Sequence, residues 1–212
     1  IFKSFSSAKI KHSDVVLIHG DAGVAAQYKG IEQGKKLPYL IKQIIDYFKD
    51  GGTVVVPTFS YSFTKNESYD KNKTPSDVGL FSESFRKHTD VKRSNHPIFS
   101  VASIGKYSNK FINSRIDDCF GEKTAFDILY KLDGKIISLG CHIDKAATFV
   151  HYIEQKNNVS YRYMKSFEGT IIDKNKEYKL TTTYNVRDLS IKSLPEMSLF
   201  KEVAIKKGDF YD

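Results

Sequence analysis

The segment from residue 148 to residue 154, T-F-V-H-Y-I-E, carries a histidine and a glutamate three residues apart, His151 and Glu154. Side chains at this spacing lie on the same face of a helix, and Thr148 is a suitable residue to begin one. A helix N-terminus disfavours a protonated imidazole, so His151 is a candidate general base. A partly buried histidine that only packs fits the same pattern, and both interpretations stay open.

Polar residues and glycines follow three predicted strands, in the runs His19-Gly20-Asp21, Pro57-Thr58-Phe59 and Gly140-Cys141-His142. Open parallel sheets bind ligands outside the carboxyl ends of their strands, so these runs predict the floor of a cleft. The thiol of Cys141 is either a nucleophile or a packing group.

Two common classes of cofactor are not indicated. The chain contains neither G-x-G-x-x-G nor G-x-x-x-x-G-K-[ST], which disfavours dinucleotide and P-loop sites. Four possible metal ligands in this region match no common closed zinc spacing, and we expect no metal. They are Cys141, His142, Asp144 and His151.

Alternating apolar runs and helical periodicity predict the elements that position these residues. Strands are predicted at 15–19, 53–56, 99–104 and 135–139. Helices are predicted at 37–50, 81–87, 124–131 and 148–155. The first, second and fourth strands show little polar alternation, as in strands buried on both faces. The alternation of strands with helices along the chain predicts an α/β fold with a mostly parallel central sheet flanked by helices.

The pattern changes after residue 156. Strand-like runs at 167–172 and 177–183 predict a small antiparallel hairpin, and residues 193–206 predict a C-terminal helix. The polar segment 64–76 is either a binding loop or a surface insertion. We expect one domain over the whole chain, divided into an α/β core at 1–156 and an appended hairpin and helix at 157–212.

Composition narrows the class of protein. The chain has 212 residues and is 40% hydrophobic, which suits one folded core, and no apolar run approaches the roughly 18 residues of a membrane span. The absence of a signal-like segment and the presence of two cysteines predict a cytoplasmic protein. The net charge of +8 favours anionic partners, and a basic nucleic-acid-binding protein is one alternative. No basic stripe interleaved with aromatic residues supports that alternative.

Five ordered motifs belong together. Residues 74–86 are similar to T-P-S-x-x-G-x-L-x-E-x-F-R, and residues 93–102 to R-S-x-H-P-x-x-S-V-A. Residues 56–59 resemble M-P-T-F, residues 118–122 resemble D-P-F-G-E, and residues 140–154 resemble G…T-S-x-H-x-x-E. In their order along the chain these motifs resemble the aminoglycoside 3-N-acetyltransferase family. The resemblance implies that family's own α/β fold and an acetyl-CoA-dependent N-acetyltransferase.

The resemblance also implies roles for particular residues. His151 corresponds to the histidine that activates the acceptor amine, Glu83 to a carboxylate partner for it, and Thr58 to a threonine near the thioester. Other carboxylates that remain candidates for pairing with His151 are Glu122, Asp144 and Glu154. The implied cofactor-binding residues are His19, Gly20, Asp21, Ser76, Arg93, His96 and Ser100.

These roles make chemical sense together. An imidazole oriented by a carboxylate takes the proton of the amine, and the hydroxyl of Thr58 or a backbone N–H stabilises the oxygen that becomes negative. Direct transfer and an acyl-enzyme on Thr58 both stay open. His96 and His142 are the alternative bases.

The resemblance is the weakest guide to the identity of the acceptor. Gly20-Asp21 stand where the family has two serines, Cys119 stands where it has a proline, and the N-T-S run is reduced to Thr148. Aminoglycosides are polycations that suit an acidic cleft, whereas this chain has a net charge of +8. We therefore expect an amino sugar, with a nucleotide-linked one fitting the charge, and the alternative is an aminoglycoside whose acetylation confers antibiotic resistance. A homo-oligomer stays open, and no nucleic-acid or membrane partner is expected.

Overall fold

The chain is built around a five-stranded sheet in the computed structural model, which describes residues 1–174, 176–193 and 196–211. The strands follow the spatial order β4 (Lys92–Arg93), β5 (Val101–Gly105), β2 (Thr53–Pro57), β1 (Val15–Gly20) and β6 (Lys135–Leu139). β1 pairs in parallel with β2 and with β6, whereas β5 is antiparallel to β2 and β4. Four of the five strands therefore run in one direction, and the predicted α/β class with a mostly parallel sheet is confirmed.

A second sheet, eight α-helices and two short 3₁₀ helices, Ala22–Gln27 and Ser62–Lys65, complete the described structure. The second sheet has the order β3 (Tyr69–Asp70), β7 (Arg162–Asp173) and β8 (Lys176–Arg187). The helices are α1 (Phe2–Ser7), α2 (Gln33–Phe48), α3 (Leu80–Arg86), α4 (Ser108–Ile112), α5 (Ala125–Lys131), α6 (Ile143–Ala146), α7 (Phe149–Lys156) and α8 (Met197–Lys207). Within the described ranges, none of these helices has the length and apolar character needed to cross a membrane.

Alternation along β1 explains how the central sheet is covered on both faces. Val16 and Ile18 pack into one core with the apolar stripes of α2 and α3. Val15 and Leu17 point to the other face, into a core with α4, α5 and α7. Successive strand residues face opposite sides, so a strand covered on both sides has to be apolar throughout. Ile171 of β7 lies in the second core, and the predicted hairpin therefore packs against the sheet.

Two predicted strands differ from expectation. The run at 99–104 forms β5 only from residue 101 and runs antiparallel, because the connection from β4 is too short for a helical crossover. The run at 135–139 forms β6 at the edge of the sheet, where Ile136 is 41% exposed. Apolar content alone indicates neither the direction of a strand nor its place in the order.

Other boundaries shift at the predicted C-terminal elements. The hairpin strands are 12 residues each, longer than the predicted runs. The predicted C-terminal helix begins later, at Met197, and residues 194 and 195 of its predicted first turn lie outside the described residues.

The polar segment 64–76 is anchored to the fold by pairing and by burial. Its residues Tyr69 and Asp70 form β3, which pairs in parallel with β7. The side chain of Tyr69 is fully buried, and its hydroxyl donates a hydrogen bond of 2.8 Å to the carbonyl of Ser94. The segment that follows is held by the guanidinium of Arg93, which donates to the carbonyls of Lys71 and Thr74.

Arg93 connects this segment to the end of β2. The side chain is 6% exposed, and its guanidinium also donates to the carbonyl of Thr58 at 2.5 Å and to the hydroxyl of Ser100 at 3.2 Å. Buried carbonyls left without a donor are costly, so one side chain stabilises several backbone segments at once.

We expect Arg93→Met to lower the free energy of unfolding by at least about 2 kcal/mol, because it leaves several buried carbonyls without their donor. The neighbouring exposed Lys92 provides a matched control, and Lys92→Met should change the free energy by less than about 0.5 kcal/mol. Urea denaturation of both variants measures the difference. Equal stabilities of the two variants would show that Arg93 does not hold the segment.

Candidate active site

Two clefts open near the carboxyl ends of the central strands and meet at Thr148. The first cleft has a volume of about 500 Å³ and is lined by residues that follow β1 and β2 and precede α3. The second cleft has a volume of about 1290 Å³ and is lined by residues of α6, α7, β7, β8 and α8. Thr148 lines both, so groups bound in the two clefts approach each other at the start of α7. The first cleft is lined by His19, Gly20, Asp21, Ala22, Pro57, Phe59, Tyr61, Val78, Gly79, Leu80, Ser82, Cys141 and Thr148.

His151 and Glu154 form an ion pair in the wall of the second cleft. Nδ1 of His151 lies 2.7 Å from Oε2 of Glu154. A carboxylate oxygen only accepts hydrogen bonds, so we assign the ring hydrogen to Nδ1. Nε2 then carries the free lone pair, and it makes no hydrogen bond to the residues that the structure describes.

Residues from the start of β7 surround this pair. Nε of Arg162 lies 2.7 Å from Oε2 of Glu154, and Nη2 of Arg162 lies 3.0 Å from Nδ1 of His151. The hydroxyl of Tyr161 donates to Oε1 of Glu154 at 3.1 Å. The ring of Phe120 meets the imidazole edge to face, with 5.5 Å between centroids. Both oxygens of the carboxylate are therefore held, and the imidazole has little freedom to turn.

The environment of His151 favours the neutral imidazole. Burial lowers the pKa of His151 most, and the guanidinium of Arg162 lowers it further against the opposing effect of Glu154. The side chain is still 31% exposed, so protons and ligands reach it. A neutral, oriented and accessible imidazole has the properties of a general base.

Glu83 does not pair with His151, contrary to the expectation from the resemblance. Its carboxylate receives two hydrogen bonds from Arg86, at 2.5 and 2.7 Å, and one from the backbone N–H of Ser76 at 2.8 Å. Burial raises the pKa of Glu83, but the hydrogen bonds from Arg86, Ser76 and Lys87 outweigh burial and bring the pKa to about 2. An arginine three residues along the same helix captures the carboxylate, and Glu83 stabilises the start of α3.

The remaining carboxylates are also separate from His151. Asp144 lies 2.9 Å from Nδ1 of His142, and Glu122 is exposed. Within the described ranges, no three side chains of His, Cys, Asp or Glu are grouped as they would be to hold a metal ion.

Thr58 and Ser100 are fully buried behind the first cleft and, with Arg93, do not line it. The hydroxyl of Thr58 donates to the carbonyl of Ser100 at 3.1 Å and accepts from Nε of Arg93 at 3.1 Å. Pro57 and Phe59 line the cleft instead, because alternate residues of an extended chain face opposite sides. Thr58 therefore does not present its hydroxyl to a ligand in this structure.

His96 is a core residue rather than part of either cleft. It is 3% exposed, its Nδ1 accepts from the backbone N–H groups of Ile98 and Phe99, and its Nε2 bonds to the carbonyl of Asp118. Burial lowers the pKa of His96 to about 4. Both ring nitrogens are used in holding the chain, which removes His96 as an alternative base.

The structure places three of the seven candidate cofactor residues in the first cleft. They are His19, Gly20 and Asp21. Nε2 of His19 is buried without a hydrogen-bond partner among the described residues, and burial lowers the pKa of this histidine to about 4. Ser76 lies beside the cleft, where its backbone N–H binds Glu83.

Sequence reasoning missed Arg162 and Tyr161, and it placed Thr148 correctly at the start of the helix but not at the junction of the clefts. Arg162 and Tyr161 reach Glu154 only because the chain reverses between α7 and β7, which no local periodicity reveals. Thr148 precedes α7, but its side chain makes no capping hydrogen bond. Its hydroxyl is therefore available at the junction of the two clefts.

The profile of the family described as Aminoglycoside 3-N-acetyltransferase matches residues 24–208. This chain belongs to that family. The resemblance drawn from the five motifs is confirmed.

Two curated relatives of the chain have names of the same kind. An aminoglycoside N(3')-acetyltransferase-like protein YokD, derived from the SPbeta prophage of Bacillus subtilis (strain 168), is 28% identical over 133 residues, which are 52% of this chain and 49% of the relative. Aminoglycoside N(3)-acetyltransferase IV of Salmonella sp is 32% identical over 114 residues, 52% of this chain and 42% of the relative. The chain thus spans about half the length, or less, of the curated relatives it matches.

A solved structure confirms the fold of the family. AAC-IIIb in a binary complex with CoASH superimposes with a TM-score of 0.80 at 17% identity, over 97% of this chain and 83% of that one. The match covers the hairpin and helix as well as the central sheet.

The carboxylate of Glu83 should make the stability of the protein depend on acid pH. Its pKa lies near 2 in the folded protein against an ordinary 4.5, so its stabilising effect is present above 4.5 and is lost as the pH falls toward 2. We expect Glu83→Gln to be less stable than wild type at pH 6 and to approach it as the pH falls toward 2. Thermal unfolding across this range, with exposed Glu67→Gln as the control, measures the difference. A deficit that stays constant with pH would contradict the role assigned to Glu83.

Proposed function

We propose that the chain transfers the acetyl group of acetyl-CoA to an amine of an aminoglycoside-type substrate. The observation that carries this proposal is the junction of the two clefts at Thr148, with the base His151 three residues further along. Three residues are about one helical turn, so a donor in the first cleft and an amine in the second would meet beside the imidazole. Membership of the family supports the class of reaction.

His151 would act as the general base. The acceptor amine is protonated at neutral pH and attacks a carbonyl only after losing a proton. Nε2 of His151 would accept a proton from the amine as its nitrogen bonds to the acetyl carbon, while Glu154 binds the Nδ1–H and stabilises the imidazolium that forms. The C–S bond of the thioester would then break, and the imidazolium would return the proton to the sulfur, so that CoA leaves as the thiol. The exposed edge of the ring faces the cleft in which the amine would lie.

Thr148, and not Thr58, would stabilise the thioester oxygen that becomes negative during transfer. Its hydroxyl is free of capping and lies at the junction of the clefts, where it can donate to the carbonyl oxygen of the acetyl group. The buried and hydrogen-bonded hydroxyl of Thr58 is poorly placed to become acylated. This placement favours direct transfer over an acyl-enzyme.

The first cleft has the chemistry to hold the pantetheine arm of acetyl-CoA, which supplies the activated acetyl thioester when bound. Phe59, Val78 and Leu80 give the cleft apolar walls. His19 adds a neutral imidazole whose Nε2 has no partner among the described residues and can bond an amide of the arm. An orphaned buried polar atom in a narrow cleft is the kind of group that a ligand satisfies.

The comparisons support an aminoglycoside acceptor over the nucleotide-linked amino sugar expected from net charge. Structures with this fold have been solved with sisomicin, apramycin or a gentamicin bound. Global charge is also a poor guide here, because Asp144, Glu154 and Glu196 line the second cleft along with its basic residues. An acceptor carrying several ammonium groups would find carboxylates close to the base.

Thr148→Val and Thr58→Val are a matched pair of substitutions that separates the two threonines. Thr148→Val should lower kcat by roughly 10-fold or more with the melting temperature retained, because it removes a hydroxyl that makes no capping hydrogen bond. Thr58→Val should destabilise the fold by about 1–2 kcal/mol, because buried groups lose a partner, with a smaller effect on kcat. CoA release and thermal unfolding of both variants test this. The reverse pattern would return the catalytic role to Thr58.

We expect CoA release from acetyl-CoA with sisomicin or apramycin as acceptor, and His151→Ala should lower kcat/KM by roughly 10²- to 10⁴-fold. The rising limb of the pH profile should disappear in this variant, because the imidazole that acts as the base is absent. His88→Ala, which changes a histidine outside both clefts, is the control for fold and activity.

Release of CoA with a nucleotide-linked amino sugar but not with either aminoglycoside would restore the first expectation for the acceptor. Near wild-type kcat/KM in a stable His151→Ala variant would remove His151 as the base.

A further inference from the structure

The imidazole of His151 faces two opposite charges at the same nitrogen. Nδ1 lies 2.7 Å from the carboxylate of Glu154 and 3.0 Å from the guanidinium of Arg162. The hydrogen on Nδ1 is donated to the carboxylate, so this nitrogen has no lone pair with which to accept a hydrogen bond from the guanidinium. The contact with Arg162 is therefore a close approach of a cation to a ring that would itself become a cation when protonated.

Arg162 is held in this position by contacts on several sides. Its side chain is 8% exposed, its Nε lies 2.7 Å from Glu154, and its Nη1 donates to the carbonyl of Asn185 at 3.0 Å. The guanidinium of an arginine is a cation in proteins. The repulsion between this cation and a protonated His151 therefore comes from a side chain that the fold holds in place.

We propose that Arg162 is a positioning residue that holds Glu154 against Nδ1 of His151 and keeps the imidazole neutral with Nε2 free. By binding Glu154 it prevents the carboxylate from turning toward solvent, and by its charge it limits how strongly the pair attracts a proton. Without this cation the imidazole would have a higher pKa, and a larger fraction of it would already be protonated at neutral pH and unable to accept the proton of the amine. The role proposed for Arg162 rests on the proposed function only in the kinetic test, because the titration of His151 does not require acetyl transfer.

Other charged and titratable groups surround His151 at greater remove. Glu154, on the same helix, contacts His151 directly. Tyr161, which precedes β7, contacts Glu154 and not His151. The remaining groups of the second cleft are His142, Asp144, Tyr184, Arg187, Lys192, Glu196 and Lys201. Glu154 and Arg162 are the two charged residues that act on the pKa of His151, beside the larger effect of burial.

Arg187 supplies a control of the same type. It lies directly opposite Arg162 in the register of β7 and β8 and lines the same cleft. It makes no hydrogen bond or ion pair with His151 or Glu154 among the described residues. Removing its charge tests the general field of the cleft without touching the pair.

The experiment is an NMR titration of the histidine Cε1–H signals in the protein without acetyl-CoA, with His151→Ala identifying the signal of His151. We expect the midpoint to rise in Arg162→Gln, to rise less in Arg162→Lys, and to stay at the wild-type value in Arg187→Gln. Glu154→Gln should lower the midpoint, because the guanidinium then acts alone. Equal midpoints in wild type and a folded Arg162→Gln would overturn the proposal. Should Arg162→Gln fail to fold, an unchanged midpoint in both Arg162→Lys and Glu154→Gln would overturn it equally.

Activity provides the second readout. The rising limb of kcat/KM should move to higher pH in Arg162→Gln. At pH values below the limb kcat/KM should fall by roughly 3- to 10-fold relative to wild type, and at pH values above the limb it should fall by less. A loss of equal size at every pH, with the limb in place, would mean that Arg162 only supports the fold. A shifted NMR midpoint together with no acetyl transfer to any amine would leave the role of Arg162 intact and remove the proposed function instead.

Discussion

The candidate active site depends on the contact between one nitrogen of His151 and the carboxylate of Glu154. A buried imidazole is a useful base only when its tautomer is fixed and its other nitrogen is open, and this contact meets both requirements. The carboxylate must itself be held, and Arg162 and Tyr161 at the start of β7 do so. The C-terminal hairpin is therefore part of the site, because the pair would lose its support without it.

The order of the central sheet explains why this pair lies at a junction of two clefts. β1 lies between β2 and β6, all three in parallel, so their carboxyl ends open on the same edge. The loops that follow them line the first cleft, and the chain continues from β6 into α6 and then α7. A helix that starts at this edge brings its first turn, with Thr148 and His151, to the place where ligands of parallel sheets bind.

Local features of the sequence predicted local features of the structure. Apolar runs located the strands, and the three-residue spacing placed His151 beside Glu154, because both signals depend only on neighbours along the chain. Competition between partners was not predictable in this way. Glu83 was expected to reach His151, yet Arg86 on its own helix binds it; Thr58 was expected in the cleft, yet strand alternation turns it inward. The contact with Arg162 required knowledge of how the chain reverses after α7.

Donor and acceptor are proposed to meet between Thr148 and His151, and a crystal structure with CoA and sisomicin bound tests this most directly. We expect the thiol of CoA in the first cleft near Thr148, and an acceptor amine within about 3.5 Å of Nε2 of His151, which is hydrogen-bonding reach. A CoA thiol bound away from the first cleft, or an amine out of reach of His151 and close to another titratable side chain, would contradict this arrangement.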